Sequence, residues 1–184
     1  MAQPTLETAR LIVRPFTLAD APTVQRLAGA REVAHNAHNI PHPYQDGMAE
    51  RWIATHQPSF EQGLAATFAI VRRDDQELIG AIGLMINAAE RHAEMGYWVG
   101  APYWSQGYGT EAAAAVVRYG FEALDLHRIH ANHYTRNPAS GRIMQKIGMQ
   151  HEGRMREHAL HWGQFEDIEL YGLLRPEWQA LQRG

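Results

Sequence analysis

The chain has 184 residues, 45% of them hydrophobic and 20% charged, with a formal net charge of −3 and no cysteine. These values fit one ordinary globular domain over residues 1–184, and they exclude disulfides, thiolate metal sites and a cysteine nucleophile. Mild acidity with scattered arginines argues against duplex nucleic acid as a partner; no apolar run is long enough to span a membrane, and Met1-Ala2-Gln3-Pro4 does not open a signal peptide, so a cytoplasmic location is expected.

In chain order, Leu11–Pro15 reads as a short strand closed by proline. Thr17-Leu18-Ala19-Asp20 resembles a capping box with Asp in place of Glu, and Leu18–Ala28 has helical spacing. Asn36–Tyr44 is a proline-punctuated loop, and Gly47–Gln57 a second amphipathic helix with Met48, Trp52 and Ile53 turned inward. Thr67–Arg72, Glu77–Ile86 and Ala93–Val99 form an antiparallel meander with a polar turn at Asp74-Asp75-Gln76. Thr110–Leu124 is an alanine-rich helix with an apolar stripe through Val116, Val117 and Phe121. Arg128–Tyr134 is a strand joined to the meander through that helix, hence expected parallel to Ala93–Val99. Pro138–Ile147 is a helix stopped by Gly148. Met149–His158 and Asp167–Leu174 read as a last strand pair, with Arg175-Pro176-Glu177-Trp178 ending the fold. The class is α+β around a mixed sheet.

Eleven histidines invite a metal reading. The groups His35/His38/His42 and His127/His130/His133 lack the H-E-x-x-H order of a zinc helix, and His130 and His133 fall on opposite faces of a strand, so no metal is expected.

The stretch Gln106-Gly107-Tyr108-Gly109-Thr110 puts two glycines at the mouth of the best helix. Unpaired amides and the positive end of a helix dipole suit a phosphate or diphosphate there. It is no Walker loop, and G-x-G-x-x-A after a meander, with no acidic residue ending a strand about 20 residues on, is a poor dinucleotide fingerprint. Taken alone, the pair is an ordinary helix-start loop.

Its flanks change that reading. "GYWVGAPYWSQGYGTEAAAAVVRYGFEALDLHRIHA" followed by "NPASGRIMQKIGMQHEGRMRE" resembles the GNAT acetyltransferase superfamily, and its ribosomal-protein N-terminal alanine acetyltransferase branch more closely. The likeness runs from "LETARLIVRPFTLAD" through "IPHPY" to "GQFEDIELYGLLRPEW". It implies a GNAT-type central sheet of about seven strands flanked by about four helices, with one parallel pair splayed apart. It implies acetyl-CoA as cosubstrate, its diphosphate held by Gln106, Gly107, Tyr108, Gly109 and Thr110. The family's Q/R-x-x-G-x-G/A begins here with Trp104 instead. The pantetheine arm would lie along backbone at Trp98 and Val99, where an amide also faces the thioester oxygen, with Asn137 holding the arm.

The resemblance further implies attack by an amine on a thioester, which needs a base and a donor to the leaving thiolate. Glu94 shares a strand face with Gly96 and Trp98 and is the candidate base; a surface Glu is the alternative, and His92, His133 and Glu157 are reserves. The tyrosine of the family pattern N-x-x-A-x-x-x-Y falls at Met144, while N-x-x-S appears as Asn137-Pro138-Ala139-Ser140, making Ser140 the candidate acid; helix capping is the plain alternative for both polar residues. Arg142 and Lys146 are within reach of a CoA phosphate or simply solvated. His35, His38 and Tyr44 fall in the substrate-facing region. The acceptor expected is a primary amine, either a protein N-terminus or a small amine (polyamine, amino acid or aminoglycoside). A non-catalytic acyl-CoA-binding module is a separate class of reading, and a homodimer is implied by the resemblance.

Overall fold

The computed structural model describes residues 2–183 and carries one eight-stranded sheet with the strand order β1-β2-β3-β4-β5-β6-β8-β7. The strands are β1 (Leu6–Glu7), β2 (Leu11–Pro15), β3 (Ala65–Arg72), β4 (Leu78–Asn87), β5 (His92–Val99), β6 (Arg128–Tyr134), β7 (Gln150–His161) and β8 (Gln164–Leu174). Every neighbouring pair is antiparallel except β5/β6. The helices are α1 (Ala21–Ala28), α2 (Arg31–Asn36), α3 (Met48–Ala54), α4 (His56–Glu61), α5 (Tyr108–Glu122), α6 (Pro138–Lys146) and α7 (Arg175–Leu181). No helix among the described residues is long and apolar enough to cross a membrane.

The meander forms because β-branched and small apolar residues alternate between tight polar turns, and the crossover through α5 brings β6 back parallel to β5. Helix α5 buries Ala112, Ala113, Val116, Val117 and Phe121 in the same core as Phe68, Ile82 and Leu84 of the sheet. Each fully buried Val or Phe there contributes about 1.5–3 kcal/mol. β8 is inserted between β6 and β7 for a legible reason. Ile168–Leu174 is almost continuously apolar, as an interior strand requires, whereas the polar run of β7 suits an edge.

Several expectations need correction. The sheet has eight strands rather than about seven, because the two-residue β1 is too short to carry a pattern. The helices number seven among the described residues rather than about four. The helix expected over 47–57 is two helices: Pro58 has no N–H for the Ala54 carbonyl, and the Thr55 hydroxyl donates to the Trp52 carbonyl (2.7 Å) at the break. Arg175-Pro176 opens a helix rather than closing the fold. Proline is tolerated in a first turn, and the Glu177 carboxylate accepts the Leu174 N–H at 2.8 Å. Helix α5 starts at Tyr108, two residues before the expected Thr110.

Candidate active site

The central feature is an opening between two strands. β5 pairs with β4 along its whole length, from His92 opposite Asn87 to Val99 opposite Gly80. β6 pairs with β8 over all seven of its residues. Between β5 and β6, however, the ladder stops after three pairs, His92/Arg128, Ala93/Ile129 and Glu94/His130. Beyond Glu94 and His130 the facing edges have no partner strand, so they offer backbone donors and acceptors to an extended guest. An open cleft of about 680 Å³ runs through this gap.

The glycine loop stands at the mouth of the cleft. Gly107 is the residue before α5 and has φ +83°, a conformation that costs an L side chain about 1–2 kcal/mol. No side chain caps the helix, so the amides of its first turn, Tyr108, Gly109 and Thr110, stay available. The loop is braced from a place the sequence did not flag. Arg10, between β1 and β2, donates through Nη1 to the Gln106 carbonyl (2.9 Å) and through Nε to Glu111 (2.7 Å). Thr8 Oγ1 and the Arg10 N–H donate to the other Glu111 oxygen at 2.6 and 2.8 Å. The Arg10 guanidinium also lies 4.6 Å from the Tyr108 ring centre. Trp104 is braced likewise: its indole N–H donates to the Val99 carbonyl at 2.6 Å.

Further in, Glu94 and Asn132 meet across the last closed part of the ladder, the Asn132 amide donating to Glu94 Oε1 at 2.7 Å. Asn132 thus orients the carboxylate. His130 sits nearby; burial holds it below the usual imidazole range, with the charge of Glu94 pulling the other way. His92 is turned to Glu90, 2.9 Å away, and the buried His133 Nε2 has no hydrogen-bond partner among the described residues.

At the start of α6, Asn137 Oδ1 accepts the Ser140 N–H at 3.4 Å, a weak cap. Met144 is buried in the core. The hydroxyl that does arrive comes from β5: Tyr97 Oη lies 2.8 Å from Ser140 Oγ and donates to the Ser140 carbonyl at 3.0 Å. A strand tyrosine carries no sequence signal for a partner 43 residues away.

The model for the acetyltransferase (GNAT) domain matches residues 10–150. This chain belongs to the GNAT acetyltransferase family. It is 35% identical over 174 residues to the N-acetyltransferase YoaA of Bacillus subtilis (strain 168), itself uncharacterized, covering 94% of this chain and 98% of that one. It is 29% identical over 184 residues to the [ribosomal protein uS5]-alanine N-acetyltransferase of Escherichia coli (strain K12), covering 94% and 92%. Among solved structures, a GNAT-family acetyltransferase from Bacillus anthracis superposes with TM-score 0.84 at 25% identity, covering 94% and 99%.

In this GNAT enzyme the cleft is lined by Glu94, Trp98, Val99, Gly107, Tyr108, Gly109, Thr110, Asn137 and Ser140. Gln106 faces outward, its amide donating to the Pro102 carbonyl. Of the residues expected on the acceptor side, His38 lines the cleft and hydrogen-bonds Tyr134 Oη (2.9 Å). His35 and Tyr44 do not line it. Tyr44 packs on Gly29 and the core, and His35 stands in the rim. The ties that hold this rim together were not legible in the sequence. Arg136 donates to Glu166 (2.8 Å), to the His35 carbonyl (2.6 Å) and to Asn36 (3.1 Å), tying α2 to the β7–β8 hairpin. His35, His42 and His161 surround the Trp162 ring at 5.0–5.4 Å.

Proposed function

We propose that this N-acetyltransferase moves the acetyl group of acetyl-CoA onto the N-terminal amine of a protein. The observation that carries the reading is the gap between β5 and β6, with uncapped amides of α5 at one end and the Glu94–Asn132 pair at the other. Its dimensions and free backbone suit a diphosphate at Gly107–Thr110 and an amide-bearing arm beside Trp98 and Val99. Arg142 and Lys146 of α6, also on the cleft wall, are placed to meet CoA phosphates.

In this reading Glu94, oriented by Asn132, takes the ammonium proton of the acceptor directly or through one water. The neutral amine attacks the thioester carbon, a backbone N–H at the open edge of β5 stabilises the oxyanion, and as the C–S bond breaks the proton shed by the amine nitrogen passes to sulfur through the Ser140 hydroxyl, which gives one proton and takes up another. Asn137 fixes the turn that carries Ser140. Proximity in the narrow gap supplies much of the acceleration. His38 and the rim around His35 contact the acceptor, with Tyr44 supporting that wall from behind.

The acceptor class follows from charge. The cleft lining holds one carboxylate, Glu94, against Arg142 and Lys146. A polyamine carries several ammonium groups and needs several acids; an N-terminal amine carries one. Thiol release from acetyl-CoA with alanine- and serine-initiated peptides, spermidine, free amino acids and an aminoglycoside tests this. Turnover confined to the peptides is expected. Spermidine as the best acceptor would move the assignment to small amines, and acetyl-CoA binding without turnover on any acceptor would make the chain a binding module.

A further inference from the structure

Ser140 Oγ has one hydrogen-bond partner among the described residues, Tyr97 Oη at 2.8 Å. Tyr97 Oη in turn touches only Ser140, donating to its carbonyl at 3.0 Å as well. The two residues come from opposite walls of the cleft, Tyr97 from β5 and Ser140 from the first turn of α6. A phenol has one proton, so two arrangements exist. In one, Tyr97 donates to the Ser140 carbonyl and Ser140 Oγ donates to Tyr97, which parks the serine proton away from the cleft. In the other, Tyr97 donates to Ser140 Oγ, and the serine O–H is free to point into the cleft.

We propose that Tyr97 is a positioning residue for the Ser140 hydroxyl, fixing its oxygen and, by shifting its own proton between the two Ser140 acceptors, releasing the serine O–H toward the departing sulfur. The inference rests on the role proposed for Ser140. Burial pushes the Tyr97 hydroxyl well above its ordinary value, with the Ser140 hydrogen bond working the other way, so the phenol keeps its proton and acts as a neutral donor. Without it, the Ser140 hydroxyl is free to rotate onto a nearby backbone carbonyl such as that of Asn137, where its proton is of no use. The same contact closes the distance between β5 and α6 where the ladder has ended, so one hydroxyl serves both the wall and the donor.

Tyr97→Phe keeps the ring in its packing and removes only the hydroxyl. The test is a cycle of Tyr97→Phe, Ser140→Ala and the double variant. It is read as kcat and acetyl-CoA KM with an alanine-initiated peptide, and as slow thioester hydrolysis without an acceptor, which frees the result from the choice of peptide. Tyr97→Phe is expected to lower the rate about tenfold with acetyl-CoA KM within about twofold, as loss of one hydrogen bond to a reacting group would. On the Ser140→Ala background it is expected to change nothing further. An unchanged rate in Tyr97→Phe, or a second tenfold loss in the double variant, overturns the inference, the latter by showing that Tyr97 acts independently. An unchanged rate in Ser140→Ala removes Ser140 as the donor, and the inference with it. A rise in KM without loss of kcat assigns Tyr97 to binding and also overturns it.

Discussion

Gly107 is the residue on which the donor end turns. Its φ of +83° is open to glycine and strained for anything else, and a Cβ built there lies 3.3 Å from Arg10 Nη2. Gly107→Ala should therefore cost about 1–2 kcal/mol of stability and weaken acetyl-CoA at least several-fold, read by thermal melts and calorimetry. Unaltered affinity would mean that the diphosphate does not sit here. Arg10→Ala should weaken acetyl-CoA without touching the acceptor KM, because the guanidinium braces the Gln106 carbonyl and Glu111. Away from the cleft, His56 is buried between Phe16 and Trp52 with both ring nitrogens unpartnered, and desolvation lowers it from 6.5 to about 4. A depressed histidine is neutral in the fold, so its contribution is complete above pH 6.5 and is lost as pH falls from there to about 4. Removing that term should flatten the acid loss of stability by roughly 3 kcal/mol over this window in His56→Phe. Denaturant midpoints at pH 7 and pH 4 check it; an identical loss in the variant would place the acid sensitivity elsewhere.

At the scale of elements, most of the frame was legible because period-two and helical patterns were strong. Leu11–Pro15 and Arg128–Tyr134 were read to the residue, and the parallel β5/β6 pair followed from the crossover helix. What escaped were devices of one or two residues. β1 is too short to alternate, Pro58 divides a helix that its apolar spacing would continue, and a lone Pro176 reads as a stop as readily as a start. The site divided along the same line. Gly107–Thr110 and the Asn137–Ser140 turn were singled out only through their resemblance to family patterns, since a glycine pair or a capping Asn taken alone reads as an ordinary helix start. Arg10, Tyr97, Asn132 and Arg136 could not be singled out, since each acts on a partner far away in the chain. Arg136 makes the matching element-scale prediction. Its bonds join α2 to the β7–β8 hairpin, so Arg136→Ala should raise the acceptor KM several-fold and leave acetyl-CoA affinity unchanged. Loss of a half-buried ion pair to Glu166 should also cost about 1–3 kcal/mol. An acceptor KM equal to that of the parent would show that the rim takes no part in acceptor binding.

For the whole molecule, one sheet does two things at once. Its continuous half, β1 to β5, has α5 packed on it, and the second half, β6, β8 and β7, is joined to it by three residue pairs. The separation of the halves leaves room for the extended coenzyme arm proposed to lie between them. The account therefore stands on where the coenzyme lies, and a crystal structure of the acetyl-CoA complex measures that most directly. It should show the diphosphate within hydrogen-bond distance of the amides of residues 107–110 and the pantetheine arm between β5 and β6, its thioester near Glu94 and Ser140. A coenzyme seated elsewhere, or β5 and β6 paired beyond Glu94 and His130 with no arm between them, would contradict it.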